Sequence, residues 1–266
     1  MRIHRIDEIE KYIIEQHSAS LDQLCEIFQI SKATLRRDLE ELMPRGTIEK
    51  VYGGVIAVTP KEPRDELLSY SERNIKHAEA KAEIAQLAAS FIQDNDTIYI
   101  DTGTSTLGIM DHLSGISNLT IITNSVLVAS KALANGHIKT IMLPGVINVR
   151  SASTVGNGCQ EYLKRCHIQK AFMACTGITE HGAANAAPEE YEIKKVALEQ
   201  SRFHYLLVDH SKFDKSALMV YSSLDNIHHV LTDRQPPEKY QNLFSAHQIQ
   251  VSTPETPLAS VDNTAK

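Results

Sequence analysis

Six apolar runs of four or five residues each decide most of what this chain can fold into. They lie at 97–101, 119–123, 140–143, 171–175, 205–209 and 229–232, and helix-like segments separate most of them. Short continuous apolar strands alternating with helices predict a mostly parallel sheet covered on both faces, an α/β fold. The residues before 77 carry a different pattern, so the chain divides into two parts.

The first part reads as three helices and a hairpin. Ile6, Ile9 and Ile13 recur at helical spacing over residues 4–17. Ser20 can cap a second helix whose apolar face is Leu21, Leu24, Cys25 and Phe28. Ser31 caps a third, ending at about Met43 before Pro44 and Gly46, with Leu35, Leu39 and Leu42 inward. Residues 47–58 are β-branched around Gly53-Gly54 and read as a wing. The expected organisation is a winged helix-turn-helix over 1–58, a linker over 59–76 where Pro60 and Pro63 sit among charges, an effector domain over 77–252, and a disordered Pro-, Thr- and Ser-rich tail over 253–266.

Two helices, a tight turn and a third helix fit a unit that lays its last helix in the major groove of DNA. With the leucines inward, Ala33, Arg36 and Arg37 face out, and Lys32 and Thr34 lie at the edges near the Ser31 cap. The adjacent arginines suit guanine edges and phosphate oxygens, and Asp38 can orient one of them. Lys50 and Tyr52 beside flexible Gly53 are candidate phosphate contacts. A structural helical hairpin with solvated charges is the plain alternative. The formal net charge is -6, and residues 1–58 carry 8 Lys+Arg against 10 Asp+Glu, so any DNA contact rests on a few placed cations.

In the second part the strand at 97–101 ends in Asp101-Thr-Gly-Thr-Ser-Thr106, and a helix follows at once. Such a turn exposes backbone N–H groups and hydroxyls to an anion, usually phosphate. It lacks the G-K-[ST] of a Walker loop and the G-x-G-x-x-G of a dinucleotide site. Gly103, Thr104, Ser105 and Thr106 are therefore candidate phosphate contacts. Asn124, Gly177, Asp209 and Lys212 stand at other strand ends, where ligands of open α/β sheets collect. Lys212 can neutralise an anion, and Asp101 or Asp209 can bind sugar hydroxyls. A set of capped turns with a solvated lysine is the alternative. Glu190, Glu192, Lys194 and Lys195, on a helix after Pro188, read as a solvated face. Cys25, Cys159, Cys166 and Cys175 show no C-x-x-C spacing and read as reduced thiols of a cytoplasmic protein. No metal or cofactor site is expected, and no stretch approaches a membrane span.

The string S31-K-A-T-L-R-R-D-L-E-E-L, then Gly46 and K-V-Y-G-G-V, resembles the DNA-binding half of the DeoR family of bacterial regulators. D-T-G-T-S-T, T-N-S and D-H-S-K-F resemble that family's sensor domain, in the family's order. The likeness covers about residues 4–250. It implies a Rossmann-like sensor fold related to ribose-5-phosphate isomerase, and a phosphorylated sugar or polyol held by residues 103–106 and Lys212. Cys175-Thr176-Gly177 departs from the Ala-Asp-Gly of many members, which puts an isomerase-like acid–base role in doubt. E-K-V-Y-G-G-V, E-Y-E-I-K-K and D-H-S-K-F look closest to the branch that represses inositol catabolism.

The leading expectation is a repressor, a dimer or higher oligomer on a double-stranded DNA operator, released by the phosphorylated compound. A sugar-phosphate isomerase with an accessory N-terminal domain is the enzyme alternative. A sugar-binding protein with an N-terminal interaction module is the third.

Overall fold

The computed structural model describes residues 2–16, 18–45, 47–51, 54–57 and 70–255. Two units partition the chain, Met1–Arg64 and Asp65–Lys266. Tyr52 and Gly53, the last residue of the expected wing (58), most of the expected linker (59–69) and most of the expected tail (256–266) lie outside the described residues.

The first unit runs α1 (Arg2–Gln16), β1 (Ser18–Ser20), α2 (Leu21–Ile27), α3 (Lys32–Leu42), β2 (Ile48–Val51) and β3 (Gly54–Ala57). Its core is the set the periodicity implies: Ile6, Ile9, Ile13, Leu24, Leu35, Leu39 and Leu42, closed by Ile48 and Val55. Ser20 and Gln23 form a reciprocal capping box at the start of α2. The hairpin β2–β3 gains β1 as a third antiparallel strand, in the order β1-β3-β2. Three residues are too few to show a period of two, so β1 is invisible in the sequence.

The second unit continues α4 (Tyr70–Ile75), α5 (Ala78–Ala89), β4 (Thr97–Ile100), α6 (Thr104–Leu107), β5 (Thr120–Thr123), α7 (Val126–Ala134), β6 (Lys139–Met142), β7 (Val146–Asn148), β8 (Ser153–Val155), α8 (Asn157–Leu163) and β9 (Ile168–Ala174). After these come β10 (Gly177–Thr179), β11 (Gly182–Asn185), α9 (Pro188–Glu199), β12 (Ser201–Leu207), β13 (Met219–Ser222), β14 (His229–Leu231), α10 (Glu238–Ala246) and β15 (Gln250–Ser252). Seven strands form a sheet in the order β15-β14-β12-β9-β4-β5-β6, every pair parallel. Alternate residues feed opposite faces. Tyr99, Ala171, Met173 and Leu206 pack one layer; Ile98, Ile100, Phe172, Tyr205 and Leu207 pack the other. Burial on both faces explains why these strands read as unbroken apolar runs.

The chain order reverses between β4 and β9. From β4 it proceeds outward through β5 and β6; from β9 it proceeds the other way through β12, β14 and β15. A crevice opens beyond the strand ends at such a switch point.

The linker is shorter than expected at its C-terminal end, because residues 70–75 form α4. Tyr70 is buried, and the Lys81 ammonium donates to the carbonyls of Arg73 and Lys76 at 2.5 and 2.6 Å, closing the last turn. The Lys81 cap and packing against α6 hold this helix of six residues, so it leaves no periodic signature. β15 and the buried Thr253 carry the fold up to the start of the expected tail.

Candidate functional site

In the first unit Ser31 opens α3, its hydroxyl accepting from the Thr34 amide at 3.2 Å. Lys32, Ala33, Arg36 and Arg37 are exposed, Thr34 is half-buried, and Lys50 on β2 is exposed. The burial of Leu35, Leu39 and Leu42 forces this outward set by helical geometry. Lys32 pairs with Asp22 of α2, both largely solvent-exposed, a pair weak enough to yield to a phosphate. Asp38 is a correction. It orients neither Arg36 nor Arg37 but is buried and accepts both prongs of the Arg5 guanidinium from α1, at 2.9 and 3.1 Å. That fork ties the outer helix to α3 and leaves the adjacent arginines facing solvent.

In the second unit a cleft opens at the switch point. The turn after β4 supplies Thr102, Gly103, Thr104 and Ser105. The end of β9 supplies Ala174, Cys175 and Thr176; Asn185, Glu190 and Lys194 come from β11 and α9; Lys212 follows β12. Arg73 of α4, Lys76 and His77 of the turn after it, and Lys81 of α5 complete the wall. Five lysines and arginines line the cleft with one carboxylate; Lys194 is already paired with Asp101, and the remaining cations leave a field that concentrates anions. Gly103 precedes α6 with no side-chain cap, and a Cβ there would lie 2.1 Å from the Ala174 Cβ. Only glycine lets the turn approach β9 this closely.

Of the nine expected ligand residues, Gly103, Thr104, Ser105 and Lys212 line the cleft. The other five do not. Asp101, at 1% exposure, takes the Lys194 ammonium and the Ala174 amide. Thr106 donates to the carbonyls of Asp101 and Gly103. Asn124 accepts from the Tyr99 hydroxyl at 2.7 Å and donates to Thr154 O at 3.1 Å. Gly177 sits in β10 against Lys215, whose carbonyl oxygen would meet a Cβ at 2.1 Å. Asp209 is fully buried: its Oδ1 caps the turn at Ser211, and its Oδ2 has no hydrogen-bond partner among the described residues.

The helix after Pro188 is the second correction. Glu192 is exposed, as expected, and Lys195 is half-buried, whereas Glu190 and Lys194 are buried rather than solvated. Glu190, Ile193, Lys194 and Ala197 share one face at spacings of three and four, and Ile193 and Ala197 are fully buried. The pattern that would have found Glu190 and Lys194 was therefore present in the sequence. Lys194 also donates to Ala174 O at 3.1 Å and lies 5.1 Å from the Tyr221 ring centroid. Burial pushes the Cys175 thiol up to about 12 despite nearby Lys212 and Lys194, so it stays protonated and is no nucleophile at neutral pH.

A helix-turn-helix with an outward basic face, followed by a separate parallel α/β unit with a cationic cleft, defines a DNA-binding regulator with its own sensor domain. The comparisons agree with that class. Residues 5–61 match the DeoR-like helix-turn-helix domain and residues 76–234 match the DeoR C terminal sensor domain. The chain is 40% identical over 250 residues to the HTH-type transcriptional regulator IolR of Bacillus subtilis, covering 94% of this chain and 98% of that one. It is 28% identical to the glycerol-3-phosphate regulon repressor of Escherichia coli, covering 93% and 97%. The chain belongs to the DeoR family of transcriptional regulators. Its relatives are named as regulators and repressors, not enzymes. Among solved structures, ribose 5-phosphate isomerase from Plasmodium falciparum aligns with a TM-score of 0.37 at 16% identity, over 50% of this chain and 52% of that one. No helix of the described residues is long and apolar enough to cross a membrane.

Proposed function

We propose that this regulator represses a carbohydrate or polyol catabolic operon, and that a phosphorylated sugar or polyol bound in the cleft releases it from its operator. The observation that carries this reading is the cleft itself. A glycine-dependent turn, Lys212 and the cationic side chains of Arg73, Lys76 and Lys81 line one cleft beyond the strand ends at the switch point, where an anion is the natural occupant. The Gly103–Thr104–Ser105 turn and Lys212 take the phosphate. Ser31, Lys32, Ala33, Thr34, Arg36, Arg37 and Lys50 form the DNA side, with Tyr52 and Gly53 of the wing. A homo-oligomer in the cytoplasm presents two such helices to two half-sites. The names of two relatives, GlcR and the glycerol-3-phosphate regulon repressor, support repression. The strings E-K-V-Y-G-G-V, E-Y-E-I-K-K and D-H-S-K-F support inositol catabolism as the operon's class.

Binding the purified chain to fragmented genomic DNA, then challenging retained fragments with sugar and inositol phosphates, tests this. Retention of a few specific fragments and their release by one phosphorylated compound is the expected result. Specific retention that no phosphorylated compound reverses contradicts the role given to the cleft.

A further inference from the structure

Asp101 and Asp209, the carboxylates the sequence suggests for hydroxyl recognition, are both buried, and neither lines the cleft. Glu190 remains. It lies at the junction of the cationic cleft and a second, adjoining recess, and it lines both. The residue is 5% exposed. Its Oε1 accepts from the Thr102 hydroxyl at 2.9 Å and the Ser153 hydroxyl at 3.2 Å. Its Oε2 accepts only from the Asn185 amide, at 3.2 Å.

Three neutral donors therefore fix this carboxylate from three separate segments: the turn after β4, strand β8 and strand β11. No lysine or arginine among the described residues forms an ion pair with it. A carboxylate has roughly four acceptor positions on its two oxygens, so Oε2 keeps one open. A buried, rigidly held, incompletely satisfied carboxylate in a cleft wall is an acceptor waiting for a donor. The donors a phosphorylated sugar or polyol brings are its hydroxyls.

We propose that Glu190 is the specificity residue of the cleft: its Oε2 accepts a hydroxyl of the bound compound, while the 103–105 turn and Lys212 hold the phosphate. This rests on the phosphate reading given above. It makes the ligand a polyhydroxylated phosphate rather than a bare phosphate. It also gives Glu190 a mechanical role, because Ser153 ties the same carboxylate to the β7–β8 hairpin.

Calorimetric titration of the full chain separates the two claims. The probes are inorganic phosphate, glucose 6-phosphate and myo-inositol 1-phosphate, on the wild type, Glu190→Gln and Glu190→Asp, each checked for an unchanged melting temperature. The wild type binds at least one polyhydroxylated phosphate more tightly than inorganic phosphate. Glu190→Gln weakens that compound about tenfold to a hundredfold, the scale of a lost hydrogen bond to a charged acceptor. It leaves inorganic phosphate within about twofold or slightly tighter, since a negative charge has been removed. Glu190→Asp, which keeps the charge but withdraws the oxygens, shows the same selective loss to a smaller degree. Equal weakening of all probes, or none, overturns the proposal, as does a wild type that prefers bare phosphate. A wild type that binds no phosphate at all removes the phosphate reading and this one with it.

Discussion

Lys194 and Asp101 form a sealed ion pair beneath the cleft, and it joins the two strands on either side of the switch point. Asp101 follows β4, and its Oδ2 also accepts the Ala174 amide at 2.9 Å; Lys194 also grips the Ala174 carbonyl. Both ends of one residue at the tip of β9 are thus fastened to the pair. Removing one partner strands a buried charge. Lys194→Met or Asp101→Asn is expected to cost about 3–5 kcal/mol in urea unfolding of the second unit, and the double variant less than the sum.

The Arg5–Asp38 fork separates stability from DNA reading in the first unit. Asp38→Ala is expected to cost about 2 kcal/mol, within the range of hydrogen bonds to charged groups, in thermal unfolding. Arg37→Ala, on the exposed face, changes stability by no more than about 0.5 kcal/mol. It weakens specific DNA binding by about 1–3 kcal/mol if it reads a base. Equal weakening on random and specific DNA in a filter-binding titration would reduce Arg37 to a phosphate contact.

Gly103 and Lys212 carry the ligand response. Lys212→Ala leaves DNA affinity intact and blunts release by the phosphorylated compound. Gly103→Ala drives a methyl into Ala174 and is expected to destabilise the second unit by about 1–3 kcal/mol while abolishing release. Loss of DNA binding in the absence of any compound, with either variant folded, would sink this division of labour.

His229 makes stability pH-dependent. Burial beside Phe91 and Tyr205 lowers its pKa from 6.5 to about 4, and its Nε2 meets Ser252 Oγ at 2.8 Å. The folded state holds the ring neutral where the unfolded state already binds a proton. Its contribution is full above about pH 6.5 and is lost as pH falls from there toward 4, amounting to about 3 kcal/mol at the acid end. Urea midpoints at pH 7 and pH 4.5 measure this, and His229→Gln flattens the difference. An identical slope in the variant would assign the acid lability elsewhere.

What the sequence shows of this molecule is what local spacing encodes. Ile6, Ile9 and Ile13, the caps at Ser20 and Ser31, and the apolar runs from Ile98 to Leu231 each follow from a period or a capping rule. The Gly103–Ser105 turn was legible because strand, glycine and hydroxyls are adjacent. Partnerships across the chain were not. Asp38 stands beside Arg37 in sequence but binds Arg5, and Asp101 binds Lys194, 93 positions on. Glu190 was misread because its charge outweighed its place on the buried face of α9. Arg73, Lys76 and Lys81 were hidden because α4 is held by a lysine cap rather than by an apolar stripe.

The central claim is a coupling between the cleft and the DNA-reading helix. The most direct measurement is the affinity of the full chain for a specifically retained fragment, by fluorescence anisotropy, with and without saturating amounts of the compound that releases it. The account predicts a fall of about 5- to 150-fold, and an equal fall in affinity for the compound when the fragment is bound, since linkage is reciprocal. An unchanged DNA affinity with the cleft demonstrably filled would contradict it.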